Sequence, residues 1–156
     1  MKKIAIITLN GYFNYGNRLQ NYALQTFLES LGFEVETIRL NKNGRSEKIK
    51  SWLRPVKYKL AGKSIELSRQ KVFKGFSKKF ISETDKTYNT NDDLSELSNR
   101  YDYFVIGSDQ VWNPSMNKTS TAYFADFAPQ EKVISYAASF GISELSPNVE
   151  EIYKKG

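Results

Sequence analysis

Three short blocks hold the residues best equipped for chemistry. The first is Asn10-Gly11-Tyr12-Phe13-Asn14-Tyr15-Gly16-Asn17-Arg18, a loop of amides, glycines and aromatics that leads into a helical pattern. Such a loop offers backbone N–H groups and a positive helix end to an anion. The spacing Gly11-x-x-x-x-Gly16 matches the glycines of a phosphate-binding P-loop, but Asn17 stands where Lys is required and Arg18 where Ser or Thr would hold magnesium. ATP hydrolysis is therefore unsupported, and the dinucleotide pattern GxGxxG is absent. Local chemistry leaves two readings, an anion or ligand loop and a plain glycine turn.

The second block is Gly107-Ser108-Asp109-Gln110-Val111-Trp112-Asn113-Pro114. It places a carboxylate, two amides and an indole in the first turn after an apolar strand. Asp109 could take a proton from a sugar hydroxyl. Gln110 and Asn113 could hydrogen-bond hydroxyls, and Trp112 could stack on an apolar sugar face. The alternative has Asp109 capping the next turn and Trp112 filling the core. The third block, Ser135-Tyr136-Ala137-Ala138-Ser139-Phe140-Gly141, has small residues that permit close backbone approach. The aromatics Tyr12, Phe13 and Tyr15 either fold back onto the core or stack on a ligand. Asp102, Asp109 and Asp126 fit no standard metal spacing, so no metal is expected. The sequon Asn117-Lys118-Thr119 carries meaning only in a secreted protein.

Composition narrows the chemistry further. The chain has no His and no Cys. A Ser-His-Asp triad, a thiol nucleophile, a CxxC redox pair and a His/Cys zinc site are all excluded. Proton transfer falls to Asp, Glu, Tyr, Lys, water, or a group supplied from elsewhere. The apolar run Ile4–Leu9 is too short for a signal peptide, and no stretch reaches the roughly 20 apolar residues of a membrane span. A cytoplasmic chain is expected, with contact to the inner membrane face as an option.

These blocks need elements to hold them. Ile4–Leu9 reads as a buried parallel strand. From Arg18 to Leu31 the positions Leu19, Tyr22, Ala23, Phe27, Leu28 and Leu31 form one helical face, closed by Gly32 at C′. Phe33–Leu40 is an imperfect second strand, which completes a βαβ unit. Asp92 or Asp93 can cap a short helix ending near Asn99. Tyr101–Ile106 is a strand ended by Gly107, and a loop of about twenty residues then runs to Phe127. Lys132–Ala138 is another buried strand, and Ser146-Pro147 opens a helix. Alternating strands and helices imply an α/β, Rossmann-like three-layer domain with a mostly parallel sheet, in which ligands bind at the carboxyl ends of strands. One domain over residues 1–156 is expected, with residues 41–80 as a basic helical insertion. The last helix has barely begun at Gly156, which suggests a further domain.

Charge is unevenly spread. Residues 39–80 carry fourteen Lys and Arg against Glu47 and Glu66, and the rest of the chain is net acidic. Residues 48–63 mix Ile49, Trp52, Leu53, Val56, Tyr58 and Leu60 with basic residues, as in a segment that rests on anionic headgroups. The plainer alternative is a solvated helical face over a core stripe. No recognisable nucleic-acid module accompanies the charge, so no nucleic-acid partner is expected.

Taken in order, Gly11-x-x-Asn14-x-Gly16-Asn17, Tyr101-Asp102-x-Phe104-x-Ile106-Gly107-Ser108-Asp109-Gln110-Val111-Trp112-Asn113 and Ser135-Tyr136-Ala137-Ala138-Ser139-Phe140-Gly141 strongly resemble the polysaccharide pyruvyl transferase family. The Gly-Ser-Asp-Gln-x-Trp block is the most specific part. The resemblance implies the N-terminal half of a GT-B-like enzyme of cell-envelope polysaccharide biosynthesis, with a C-terminal domain completing the cleft. It implies transfer of a pyruvyl group from phosphoenolpyruvate, the donor substrate, to two hydroxyls of a glycan or lipid-linked saccharide. The products are a cyclic ketal and phosphate, and no cofactor is required. On this reading Asp109 is the candidate base. Gly11, Asn14, Tyr15, Gly16, Asn17, Arg18, Ser108, Gln110, Trp112, Asn113 and Ser139 are the candidate substrate-binding residues, with Arg18 and the loop around Gly16 and Asn17 facing an anionic group. Donor-binding Arg and His residues are expected largely in the C-terminal domain, so the isolated segment is expected to be inactive. The alternatives are a non-catalytic glycan- or nucleotide-binding domain and a peripheral membrane adaptor.

Overall fold

The computed structural model describes residues 1–11, 14–41, 64–117 and 119–154. The element order is β1 (Lys3–Ile7), α1 (Tyr15–Ser30), β2 (Glu34–Asn41), α2 (Ser64–Phe80), β3 (Glu83–Asn89), α3 (Ser95–Arg100), β4 (Tyr103–Asp109), α4 (Pro114–Asn117), β5 (Val133–Ala138) and α5 (Pro147–Tyr153). Short 3₁₀ turns cover Thr121–Phe124 and Gln130–Lys132. The strands form one sheet in the order β3-β2-β1-β4-β5, and every pairing is parallel. This is the expected Rossmann-like α/β fold.

The central strand shows why the sheet is layered. Alternate β1 side chains face opposite sides of a sheet. Ile4 and Ile6 pack with Leu24 and Leu28 of α1, Val35 and Val105. Ala5 and Ile7 pack on the other side with Phe104, Ile106, Leu97 and Tyr101. Both faces of β1 are covered, so a continuous apolar run is what the position demands.

Several expectations change in the structure. α1 starts at Tyr15, a turn earlier than Arg18, because Asn14 accepts a hydrogen bond from the Gly16 N–H as its N-cap (2.8 Å). Its buried face is not the apolar one. Asn17, Arg18, Asn21, Leu24, Gln25 and Leu28 point inward, whereas Leu19, Tyr22, Phe27 and Leu31 are exposed. β4 continues through Gly107 and Ser108 to Asp109, since Gly107 pairs with Tyr136 and Asp109 with Ala138 of β5. β5 is an edge strand with Ile134 and Tyr136 exposed, rather than a buried one.

β3 has no counterpart in the expected elements. Its sequence, ETDKTYN, lacks an apolar run because only Thr84 and Tyr88 of this edge strand are buried. The region between Ser108 and Phe127 holds α4 and a 3₁₀ turn rather than a plain loop. The N-cap of α3 is Leu94 rather than Asp92 or Asp93, although the Asp93 carboxylate just before it accepts from the Ser95 N–H (2.9 Å). That bond holds its carboxyl below the ordinary carboxylate range. Gly32, at φ 87°, follows α1 as expected. The apolar-basic segment 48–63 lies outside the described residues.

Candidate functional site

The strand order reverses between β1 and β4, because β1 leads outward to β2 and β3 while β4 leads the other way to β5. A crevice opens at such a switch point beyond the carboxyl ends of the strands. Two of the sequence blocks meet there. The first turn of α1 brings Asn17 to the end of β4, where its Nδ2 donates to Asp109 Oδ2 (2.7 Å). The Gln110 backbone N–H donates to the other carboxylate oxygen (2.7 Å). Both oxygens of a half-buried carboxylate are thereby fixed in place.

The backbone beneath Asp109 is unusual. Asp109 has φ 101° and Gly107 φ 124°, in the region that side chains disfavour, and the Gly107–Ser108 peptide is cis. A Cβ on Gly107 would lie 2.0 Å from the Tyr136 carbonyl oxygen. Only glycine lets β4 pass that close to β5. The Ser108 carbonyl accepts from Thr8 Oγ1 (3.3 Å), which links the end of β1 to the same turn.

Downstream residues form a closed polar ring. Asn113 Nδ2 donates to Gln110 Oε1 (3.0 Å), and Asn113 Oδ1 accepts from the Ser115 N–H (3.0 Å). Ser139 N–H donates to the Asp109 carbonyl (3.0 Å), and the Ser139 carbonyl accepts from the Trp112 N–H (3.2 Å). Gly141 abuts Gln110 so closely that a Cβ would sit 2.2 Å from its side chain. The Trp112 indole donates to the Tyr123 carbonyl (3.1 Å), lies parallel to Phe124 at 5.2 Å and meets Phe140 at 5.5 Å. This ring anchors the loop on neighbouring aromatics. The structure thus joins Asn17, Asp109, Gln110, Trp112, Asn113 and Ser139 through direct contacts, with Ser108 held beside Asp109 by Thr8.

At the helix start the picture is more mixed. Asn14 and Gly16 are committed to the cap they share. Tyr15 is exposed, with its ring 4.3 Å from Phe73 of α2. Gly11 is partly exposed, and Tyr12 and Phe13 lie outside the described residues. Arg18 departs from its expected placement toward an anion. Its side chain is buried, and it donates to Glu83 Oε1 (3.0 Å) and the Leu9 carbonyl (2.9 Å). A cation one residue beyond Asn17 projects around the helix to the sheet side, where Glu83 compensates it.

Thr8 was not singled out by the sequence, and Asn10 opens the first block without a role of its own there, yet both serve this end of the sheet. Asn10 Nδ2 donates to the Ile38 carbonyl (2.8 Å), whereas its Oδ1 is buried without a partner among the described residues. The signal for them is their position directly after the first strand. Among the described residues no group of three or more His, Cys, Asp or Glu could hold a metal ion. No helix among them is long and apolar enough to cross a membrane.

Comparison with curated proteins and with solved structures gave no match. The family model described as polysaccharide pyruvyl transferase matches residues 14–155, a span that contains the α1 start, the Asp109 block and the Ser139 segment. With the parallel sheet and the strand-end cluster in place, that match shows that the chain belongs to the polysaccharide pyruvyl transferase family.

Proposed function

We propose that this chain supplies the acceptor side of a pyruvyl-transfer site, in which Asp109 takes a proton from an acceptor sugar hydroxyl. The observation that carries this reading is the Asp109 carboxylate, held at the end of β4 by Asn17 and the Gln110 N–H. An aligned acceptor hydroxyl needs a base within hydrogen-bond reach and held in one orientation. Amides on Asn17, Gln110 and Asn113 suit the neighbouring hydroxyls of a glycan or lipid-linked saccharide, and Ser108 and Ser139 add hydroxyls of their own.

In the reaction the acceptor oxygen bonds to C2 of the enolpyruvyl group while a proton adds to its methylene carbon. A second hydroxyl then bonds to C2 as the C2–O bond to phosphate breaks, and phosphate leaves. Asp109 takes the proton of the first hydroxyl, a general acid outside this cluster supplies the methylene proton, and the proton of the second hydroxyl leaves with the phosphate. The donor carries a carboxylate and a phosphate, which cations stabilise. The strand-end cluster described here is built of amides, hydroxyls and one carboxylate, and Arg18 is paired with Glu83. This reading therefore assigns the donor anions to residues outside the cluster, including those of a further domain, and places the reaction in the cytoplasm.

The test is phosphate release from phosphoenolpyruvate by the full-length polypeptide with a saccharide acceptor. Asp109→Asn should slow release by about 10²–10⁴-fold while saccharide affinity holds. Release unaffected by that change would remove Asp109 from the reaction. Saccharide binding with no phosphate release in the wild type would identify a binding module instead.

A further inference from the structure

A groove of about 480 Å³ lies over β4 and β5 on the sheet face opposite α1. Ile106 and Val133 form its floor and pack with Phe104 and Leu97, whereas α1 packs with Val105 on the other face. The segment 124–130 supplies its wall, and the half-buried rings of Trp112 and Phe124 extend its apolar lining. We infer that this groove binds a neutral sugar, at a site separate from the strand-end cluster. Its volume falls in the range of small-molecule pockets, and its lining sets a few polar groups on an apolar surface, as ligand sites do. The Asp109 carboxylate is tied instead to Asn17 of α1, so a sugar in the groove is held apart from the proposed base.

The lining selects the ligand by its polar groups and its charge. Asp126, Gln130 and Ser135 line the groove, and all three are exposed. Asp126 accepts from Thr121 Oγ1 through Oδ2, and its second oxygen is left for a ligand. A carboxylate, an amide and a hydroxyl together accept from and donate to the hydroxyls of a sugar ring. Ile106, Val133 and the aromatic pair meet its C–H groups, and Trp112 and Phe124, parallel at 5.2 Å, brace each other as a rigid wall. Asp126 carries the only charge among the lining residues. Lys132 stands beside Val133, but its ammonium donates to the Ser98 and Tyr101 carbonyls (2.7 and 3.2 Å). An anionic ligand would meet this carboxylate with no cation in the lining, which disfavours a nucleotide or a sugar phosphate. A purely apolar ligand would cover the carboxylate without offering it a donor. Ala125, on the wall, holds φ 57°, a left-handed conformation that alanine disfavours and that surrounding structure sustains at ligand sites.

The inference rests on this groove and not on the transfer reading, and its test needs no donor. The isotope-labelled chain is titrated with the methyl glycosides of glucose, galactose, mannose and N-acetylglucosamine, and backbone amide resonances are followed. At least one glycoside should move Ala125, Ala128 and Ser135 saturably and leave Asn17 and Gln110 in place. The same sugar phosphorylated on its primary hydroxyl should bind at least about tenfold more weakly, and Asp126→Asn should narrow that gap. Ser135→Phe puts a ring into the groove from an exposed strand position and should weaken glycoside binding at least about tenfold, with circular dichroism confirming the fold. No shift with any of the glycosides overturns the proposal, as does full affinity in folded Ser135→Phe or equal affinity for the phosphorylated sugar. Shifts confined to Asn17, Gln110 and Asn113 would assign the sugar to the strand-end cluster and overturn the groove. Shifts at the groove that follow protein concentration without sugar would show that a second copy fills it, and would overturn it as well.

Discussion

Asn17 and Asp109, 92 residues apart in sequence, are joined by a 2.7 Å hydrogen bond between the first turn of α1 and the end of β4. The bond ties the two halves of the sheet across the point where strand order reverses.

Replacing Asn17 should expose the worth of that bond. Asn17→Ala should lower stability by about 1.5–3 kcal/mol, the range for a hydrogen bond to a charged group. Asn17→Asp sets two carboxylates at contact, so it should destabilise more at neutral pH and recover part of the loss on acidification. Urea midpoints at pH 7 and pH 5 distinguish the two behaviours.

Arg18 and Glu83 form a buried pair, with the Arg18 side chain 1% exposed. Glu83→Gln leaves that cation poorly compensated and should cost about 3 kcal/mol or more. Arg18→Met should also destabilise, but the double variant should lose less than the two single losses combined, because the partners act as a unit. Additive losses in a double-mutant cycle would show that the pair contributes nothing as a pair.

The glycines at the site differ in what they tolerate. Gly107→Ala drives a methyl into the Tyr136 backbone carbonyl, which cannot rotate away, and should cost more than about 3 kcal/mol. Gly141, at φ 64°, faces the movable Gln110 side chain. Gly141→Ala should cost about 1–2 kcal/mol and break the Gln110–Asn113 contact, visible as shifted side-chain amide resonances.

Alkaline pH should unfold the chain early. Burial pushes the Tyr101 phenol well above its ordinary 10.0, helped by its hydrogen bond to Glu36, and burial does the same to Tyr123. Above pH 10 the unfolded chain loses these protons and the folded chain keeps them, so stability falls as pH rises, by about 1.4 kcal/mol per unit for each group. Tyr101→Phe should make the decline shallower in denaturant titrations between pH 9 and 11.

The fold was legible in the sequence where burial is apolar. β1 and β4 are covered on both faces and read as continuous apolar runs. The orientation of α1 was not, because hydrophobic periodicity assumes that apolar side chains face inward. Here Asn21 accepts from Thr37 (3.0 Å), Gln25 accepts from the Ser82 N–H (2.8 Å), and Arg18 reaches Glu83, so the polar stripe is the buried one. Partners drawn from β2, β3 and their flanking residues are invisible to a local window. β3 escaped for a related reason, since only two of its side chains enter the core. At the site, the Asp109 block was legible as a cluster of chemical groups, but the inward turn of Arg18 and the aromatic enclosure of Trp112 depend on residues far away in sequence.

The outer strand β5 has a practical consequence. Its sequence, VISYAA, contains no charge and no proline, and four of its six residues are exposed. Natural edge strands are usually protected by lysine, proline or a covering element against pairing with a foreign strand. At high concentration such a segment is a nucleus for cross-β aggregation. A lysine at Tyr136 should extend the soluble lifetime of the protein in storage without touching Asp109.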